Sequence, residues 1–435
     1  MRFASTRNST PAVGFAEALL QGLAPDGGLY VPQAWPRVEV ASLESFTDLA
    51  DLANRLLAPF TAQEEIGAEL AQITREAFSF PAPVVPIRQD WPLGVLELFH
   101  GPTAAFKDFG ARFLAASMSR LRSRASRPLT ILVATSGDTG GAVAAAFHGR
   151  PGIEVAVLFP KGLVSPTQER QLTCWGGNVK SFAVRGTFDD CQRLVKQAFL
   201  DPHLRTHTEL SSANSINLGR LLPQAVYYAA TSLEGWRRHR QPTSFVIPSG
   251  NLGNAVACIW ARRLGLPIGE IVLAHNANRT VPDFLDSGEW RPRPSVATLA
   301  SAMDVGDPSN MERLRGLFPE IADLRAAVTA CCVDDVAIRA SIRRGYETLG
   351  QLWCPHTATA AEAYTRLSPA RRRTGRWAIV ATAHPAKFRE IVEPLIGREV
   401  PVPAALAELF KRPVACTEIE PELAALRVHL GEDGS

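Results

Sequence analysis

The chain has 435 residues, 46% of them hydrophobic and 20% charged, with a formal net charge of +3. That length holds two or three domains with substantial cores, and so small a net charge argues against a nucleic-acid or anionic-membrane partner. The seven cysteines form no CxxC pair and the nine histidines no ligand-spaced cluster, which argues against a zinc site or a disulfide scaffold and for a reduced, cytoplasmic chain without a metal. No apolar run approaches the length of a membrane span, and Glu17 interrupts the stretch from Phe15 to Leu20 that a signal peptide would need.

Taken in chain order, the spacing predicts a short helix over Phe15–Leu20 and a turn at Ala24–Gly28 that leads into a strand. Helical patterns follow over Phe46–Phe60 and Ala62–Phe78, and the Pro-rich stretch from Phe80 to Pro86 reads as a boundary, so that residues 1–80 form a unit of their own. A second helical face starts after Gly101-Pro102, with Phe109, Phe113, Leu114, Met118 and Leu121 on it. From there strands and helices alternate. The strands are Thr130–Ala134, Val155–Phe159, Lys180–Val184, Phe245–Ile247, Ile271–Leu273 and Trp377–Thr382; the helices are Gly141–Phe147, Phe188–Phe199 and Asn254–Leu264. This alternation implies an α/β fold with mostly parallel sheet flanked by helices, whose ligands bind beyond the carboxyl ends of the strands. Arg371–Arg373 reads as a solvated loop and Gly431–Ser435 as a frayed tail.

The most informative residue is Lys107, placed where the loop after Gly101-Pro102 enters a helix. The amino end of a helix carries partial positive charge and disfavours a cation. A lysine partly desolvated there loses proton affinity and becomes the nucleophilic amine that a Schiff base requires; the alternative is a surface lysine in a first turn. Three loops lie at strand ends, where such a sheet places its site. Pro248–Asn254 (PSGNLGN) offers glycines for close backbone approach and free N–H groups for a phosphate, without the GK[ST] or GxGxxG that would mark a nucleotide loop. Thr135–Gly140 (TSGDTG) reads as an anion cradle or as a set of helix caps at Ser136 or Asp138. Thr382–Phe388 (TAHPAKF) places a hydroxyl at a strand terminus and a lysine, Lys387, that either holds an anion or faces solvent. A fourth segment, Ser212–Arg220, gathers amides, hydroxyls and an arginine suited to bidentate phosphate binding.

Together these segments resemble the threonine synthase family. The resemblance rests on Phe99–Phe113 (FHGPTAAFKDFGARF), Thr135–Gly140, Asn214–Asn217 (NSIN), Pro248–Asn254 and Thr382–Phe388, which follow in order, and on Gln21–Pro32 (QGLAPDGGLYVP) near the start. The long N-terminal extension and the AHPAKF run are similar to the bacterial and fungal branch. The resemblance implies a fold-type II pyridoxal-phosphate enzyme, tryptophan-synthase-β-like, with two twisted, mostly parallel sheets flanked by helices and an N-terminal α+β domain. It implies an N-terminal domain over 1–80, a cofactor-binding region over 81–400 whose smaller subdomain covers roughly 105–190, and a C-terminal segment over 401–435.

By the same resemblance, Lys107 carries pyridoxal 5'-phosphate; Gly250, Asn251, Leu252, Gly253 and Asn254 hold its phosphate; and Thr382 faces the pyridine nitrogen. Asp138 falls where relatives of the fold bond the phenolic oxygen through an asparagine, which leaves it to bind through water or to cap its helix. The implied substrate is O-phospho-L-homoserine, with Thr135, Ser136 and Thr139 for its carboxylate, and Asn214, Ser215, Arg220 and Lys387 for its phosphate, with Arg112 a weaker candidate. The implied reaction is γ-elimination of phosphate and β-addition of water, with Lys107 moving protons, to give L-threonine. Two alternatives stand beside it: a related phospho-lyase that releases 2-oxobutyrate, ammonia and phosphate, and a non-catalytic ligand-binding protein in which Lys107 is a surface charge. Oligomeric state is not legible in the sequence.

Overall fold

Two mostly parallel sheets carry the chain, and their strands end around one cleft. The computed structural model describes residues 1–87, 92–122 and 127–430; the tail read as frayed, 431–435, lies outside them. One sheet has six strands in the order Thr329–Cys332, Ile268–His275, Thr243–Pro248, Arg376–Ala381, Leu93–Glu97 and Val84–Pro86. All its pairings are parallel except the last, where Val84–Pro86 runs antiparallel to Leu93–Glu97. Pro86 is tolerated there because an edge strand leaves one side of its backbone unpaired.

The other sheet has five parallel strands, Thr417–Ile419, Val179–Val184, Ile153–Pro160, Leu129–Ala134 and Glu209–Ser212. It therefore reaches beyond the 105–190 subdomain expected from the sequence, taking one edge from Glu209–Ser212 and the other from Thr417–Ile419 in the C-terminal segment. The inner strands are continuous apolar runs, such as Leu129–Ala134, in which every residue is buried. That pattern is expected of a strand covered by helices on both faces.

Residues 1–78 supply a two-stranded antiparallel sheet, Phe3–Ser5 with Tyr30–Pro32, and the helices Phe15–Gln21, Val40–Leu43, Leu49–Thr61 and Ile66–Ala77. They do not form a detached lobe. Phe3, Phe15, Leu19, Leu56 and Phe60 belong to the same apolar cluster as Phe109, Phe113 and Leu114 of the helix Lys107–Leu121. Phe15 and Phe113 meet edge to face with centroids 6.5 Å apart. Asn217 Nδ2 donates to Leu19 O at 2.9 Å and Ser211 Oγ to Leu20 O at 2.8 Å. The first helix thus backs the lysine helix and the segment at 211–217 together.

Two expectations are corrected. Arg371–Arg373 is not a loop: it closes the short helix Pro369–Arg373, and Arg371 Nε donates to Glu270 Oε2 at 2.9 Å. The small-residue helix begins at Asp138, three residues earlier than expected, because Gly137 turns the chain with φ +137. A Cβ at Gly137 would come within 2.5 Å of the Gln168 amide, so only glycine makes this entry.

Candidate active site

The lysine loop is held from both sides. Inside it, the Asp108 carboxylate accepts from Thr103 N at 2.8 Å and from Thr103 Oγ1 at 2.6 Å, closing residues 103–108. Burial pushes this carboxyl above its ordinary range, opposed by the two Thr103 bonds. Outside it, Phe106 N donates to Thr382 O at 2.9 Å, His384 N donates to Ala104 O at 3.0 Å, and Ala105 bridges Ala383. Two segments far apart in the chain thereby lie side by side. Lys107 is the first residue of the helix Lys107–Leu121 and its Nζ donates to Thr139 Oγ1 at 2.7 Å. Dehydration pulls the Lys107 ammonium down from 10.5 to about 8; the Asp138 carboxylate opposes this, and the Arg220 and Lys387 cations reinforce it. A lysine in that state supplies free amine near neutrality.

Opposite stands the loop after the strand Thr243–Pro248. Leu252 takes a left-handed conformation, φ +64, and the helix Gly253–Arg263 starts behind it with no side-chain cap. The loop is braced by Asn251, whose Nδ2 donates to Ser215 Oγ at 2.7 Å while its Oδ1 accepts from Ser309 N at 2.6 Å. Asn254 Oδ1 accepts from Tyr227 Oη at 2.5 Å and Tyr228 Oη at 2.8 Å. Its Nδ2 is buried with no partner among the described residues. Lys107, Ser136, Thr139, Asn214, Ser215, Arg220, Gly250 to Asn254 and Thr382 all line one cleft of about 1580 Å³.

Two candidates line this cleft with their polar groups already engaged. Thr135 Oγ1 accepts from Gly137 N and Gly140 N, both at 2.9 Å, so its hydroxyl organises the turn. Asp138 is not a cap: its carboxylate bonds other side chains. Its Oδ1 accepts from Lys387 Nζ at 2.7 Å and from Gln168 Nε2 at 3.0 Å. Burial would raise its carboxyl, but the Lys387 ammonium, then that of Lys107, hold it far below the carboxylate range.

Two expectations fail here. Lys387 neither faces solvent nor points toward a substrate phosphate. It is fully buried, and its Nζ is bound to Asp138 and to Thr103 O at 2.9 Å. Arg112 lies one helical turn beyond Lys107 but turns away, donating to Glu76 O at 2.6 Å and Ser79 Oγ at 3.2 Å. Arg220 keeps a place at the cleft. It is buried, donates to Ala213 O through Nη1, and leaves Nε without a partner among the described residues. Burial draws its guanidinium down to about 10, against the Asp108 carboxylate. Asn214 Oδ1 is likewise buried and unpartnered among the described residues.

Sequence reasoning missed His356 and Arg313. His356 lines the cleft, and its Nε2 accepts from Ala302 N at 3.1 Å. Burial pushes its imidazole down to about 4, so the ring is neutral. It fixes the turn Ser301–Met303, against which Gly250 packs. Arg313, 1% exposed, joins Tyr30 O at 3.2 Å, Ile216 O at 2.7 Å and Asn310 Oδ1 at 2.5 Å. It ties the N-terminal strand to the Asn214–Asn217 segment. The proline after Cys354 marks the helix start that carries His356; nothing local signals Arg313.

A reactive lysine, an uncapped helix start across a cleft and strand-end hydroxyls around them are the arrangement of a fold-type II pyridoxal-phosphate enzyme. Comparison with known proteins agrees. Residues 93–383 match the family described as pyridoxal-phosphate dependent enzyme, residues 2–78 the threonine synthase N terminus, and residues 357–429 the threonine synthase C-terminal family. The threonine synthase of Serratia marcescens is 40% identical over 99% of both chains. The crystal structure of threonine synthase from Escherichia coli superposes with a TM-score of 0.90 at 39% identity, covering 99% of both chains. The pyridoxal-phosphate-bound threonine synthase from Brucella melitensis gives a TM-score of 0.90 at 36% identity, covering 99% of this chain and 98% of its own. The chain belongs to the threonine synthase family.

The residues present fit the cofactor. The helix start at Gly253 offers backbone N–H groups that no side chain caps, as a phosphate requires. Asn254 Nδ2 is a buried donor with its hydrogen bonds unused. Lys107 has an amine of lowered proton affinity in the same cleft. No helix among the described residues is long and apolar enough to cross a membrane.

Proposed function

We propose that this threonine synthase takes O-phospho-L-homoserine and water to L-threonine and phosphate, with the following division of work among its residues. Lys107 holds the cofactor and, once released from it, carries the proton of the substrate Cα. The single observation that carries this reading is the Lys107 amine, drawn down to about 8 and bonded to a neutral hydroxyl at the floor of the cleft. An amine near its own midpoint both gives up and takes back a proton efficiently.

The backbone of Gly250 to Asn254 receives the cofactor phosphate, with Asn254 Nδ2 as a side-chain donor. Thr382 follows the strand Arg376–Ala381 and lines the cleft, where its hydroxyl would serve as the partner of the pyridine nitrogen. A hydroxyl does not hold a proton on that nitrogen as a carboxylate does. When bound, pyridoxal phosphate supplies the electron sink that stabilises a carbanion next to the amino group. Ser136 and Thr139 orient the substrate carboxylate from the start of the helix Asp138–Phe147, where partial positive charge favours an anion.

Arg220, with Asn214 and Ser215, takes the substrate phosphate. Support for this comes from the unused Arg220 Nε and Asn214 Oδ1, the latter free to accept a hydrogen bond from the monoanionic ester or from water. Arg220 is the only one of the three with a charge to set against a phosphate. The cytoplasm is the compartment we assign, from the seven unpaired thiols.

Product analysis tests the reading. Incubation of the holoenzyme with O-phospho-L-homoserine is expected to yield threonine and phosphate in equal amounts. Accumulation of 2-oxobutyrate and ammonia in place of threonine would assign the chain to phospho-lyase chemistry instead.

A further inference from the structure

Lys387 is a buried cation that the reaction as described does not use. Its ammonium lies between the helix Asp138–Phe147 of the five-stranded half and the lysine loop, bound to Asp138 Oδ1 at 2.7 Å and Thr103 O at 2.9 Å. Gln168 Nε2 bonds the same Asp138 oxygen at 3.0 Å, Gln171 Nε2 bonds Thr103 O at 3.0 Å, and Ser165 Oγ donates to Lys387 O at 3.2 Å. Both charges are out of water: Lys387 is 0% and Asp138 4% exposed. An ion pair so buried adds little stability over a well-packed apolar pair of the same volume, so stability alone gives it no purpose.

Its position does. Asp138 and Thr139 are consecutive residues, and Lys107 bonds the hydroxyl of Thr139 while the Asp138 carboxylate bonds Lys387. We propose that Lys387 is a positioning residue for catalysis: by pairing with the Asp138 carboxylate it offsets the anion beside Lys107, so that the reactive nitrogen, bonded to a neutral hydroxyl, holds its proton less tightly. The charged and titratable groups around Lys107 are Asp138 from the helix Asp138–Phe147, Arg220 from the helix Leu218–Leu221, His356 from the helix Pro355–Thr365 and Lys387 from the turn Pro385–Phe388. Asp138 is the anion among them. Whether its charge reaches Lys107 at full strength is therefore decided by Lys387.

The proposal rests on Lys107 being the lysine that carries the cofactor. The test is a pH titration of the visible absorbance of the holoenzyme, which reports protonation at the nitrogen joining Lys107 to pyridoxal phosphate. Lys387→Met releases the Asp138 charge and is expected to raise the midpoint by about one pH unit or more. Asp138→Asn leaves the Lys387 cation uncompensated and is expected to lower it by a similar amount. Lys387→Arg keeps the charge and the wild-type midpoint. The double variant Asp138→Asn with Lys387→Met restores neutrality and returns the midpoint close to the wild-type value.

A purely structural role predicts no such opposite shifts. Unmoved midpoints in folded variants, single variants that shift in the same direction, or a double variant that fails to return would overturn the proposal. Where Lys387→Met does not fold, the sign of the Asp138→Asn shift and the position of the double variant decide it. A Lys107→Ala protein that keeps the same pH-dependent band would instead overturn the assignment of Lys107 itself.

Discussion

Lys107→Ala is expected to lose more than about 10⁴-fold in turnover, since it removes the cofactor's attachment and the carrier of the Cα proton in one step. The fold should survive. The replaced side chain bonds one hydroxyl, Thr139 Oγ1, and its ammonium is already disfavoured where it stands. The variant should therefore unfold in denaturant at nearly the wild-type midpoint. Lys107→Arg retains a cation but no nucleophile at neutral pH, so it should be as inactive as the alanine variant. Kinetics on both, with circular dichroism as the control for folding, separate chemistry from structure. Near-wild-type turnover in either variant would remove Lys107 from the mechanism.

The second large effect is expected at Gly110, one turn into the same helix. On an exposed helix face, replacing glycine by alanine stabilises by roughly 1 kcal/mol. Here a Cβ would stand 2.3 Å from the carbonyl oxygen of Arg220. Backbone cannot yield as a flexible side chain does, so the clash exceeds the helix-propensity gain. Gly110→Ala should destabilise by about 1–3 kcal/mol. It should also displace Arg220, raising KM for the phosphorylated substrate more than it lowers kcat. Denaturant unfolding and steady-state kinetics measure the two arms. A more stable variant with unchanged KM would show that the close approach of these two segments does not matter to the site.

How far the sequence reaches is clear from particular residues. The inner strands were legible because helices cover them on both faces, which leaves uninterrupted apolar runs such as Leu129–Ala134. The edge strands Val84–Pro86, Glu209–Ser212, Thr329–Cys332 and Thr417–Ile419 were not, nor was the inner strand Leu93–Glu97, because strands this short carry little pattern of their own. The cleft was legible through its turns. Glycines and hydroxyls mark strand ends, and the parallel sheets bring the segments at 104–107, 135–140, 250–254 and 382 to one place.

What escaped are side chains whose meaning is set by partners far away in the chain. Lys387 looks like any lysine after a proline until Asp138 and Thr103 are seen around it. Arg313 has the composition of a surface helix residue, yet it is 1% exposed and joins Tyr30 to Ile216. The N-terminal unit presented the same difficulty. Its helices were legible one by one, but not that Phe15 and Leu19 share a core with the helix behind Lys107.

The most direct test of the account is to reduce the holoenzyme with borohydride and map the modified peptide. The mass of reduced pyridoxal phosphate is expected on Lys107 alone, in the peptide that contains Phe106 and Asp108. Label on another lysine, Lys387 included, or a colourless protein that takes up no pyridoxal phosphate, would contradict it.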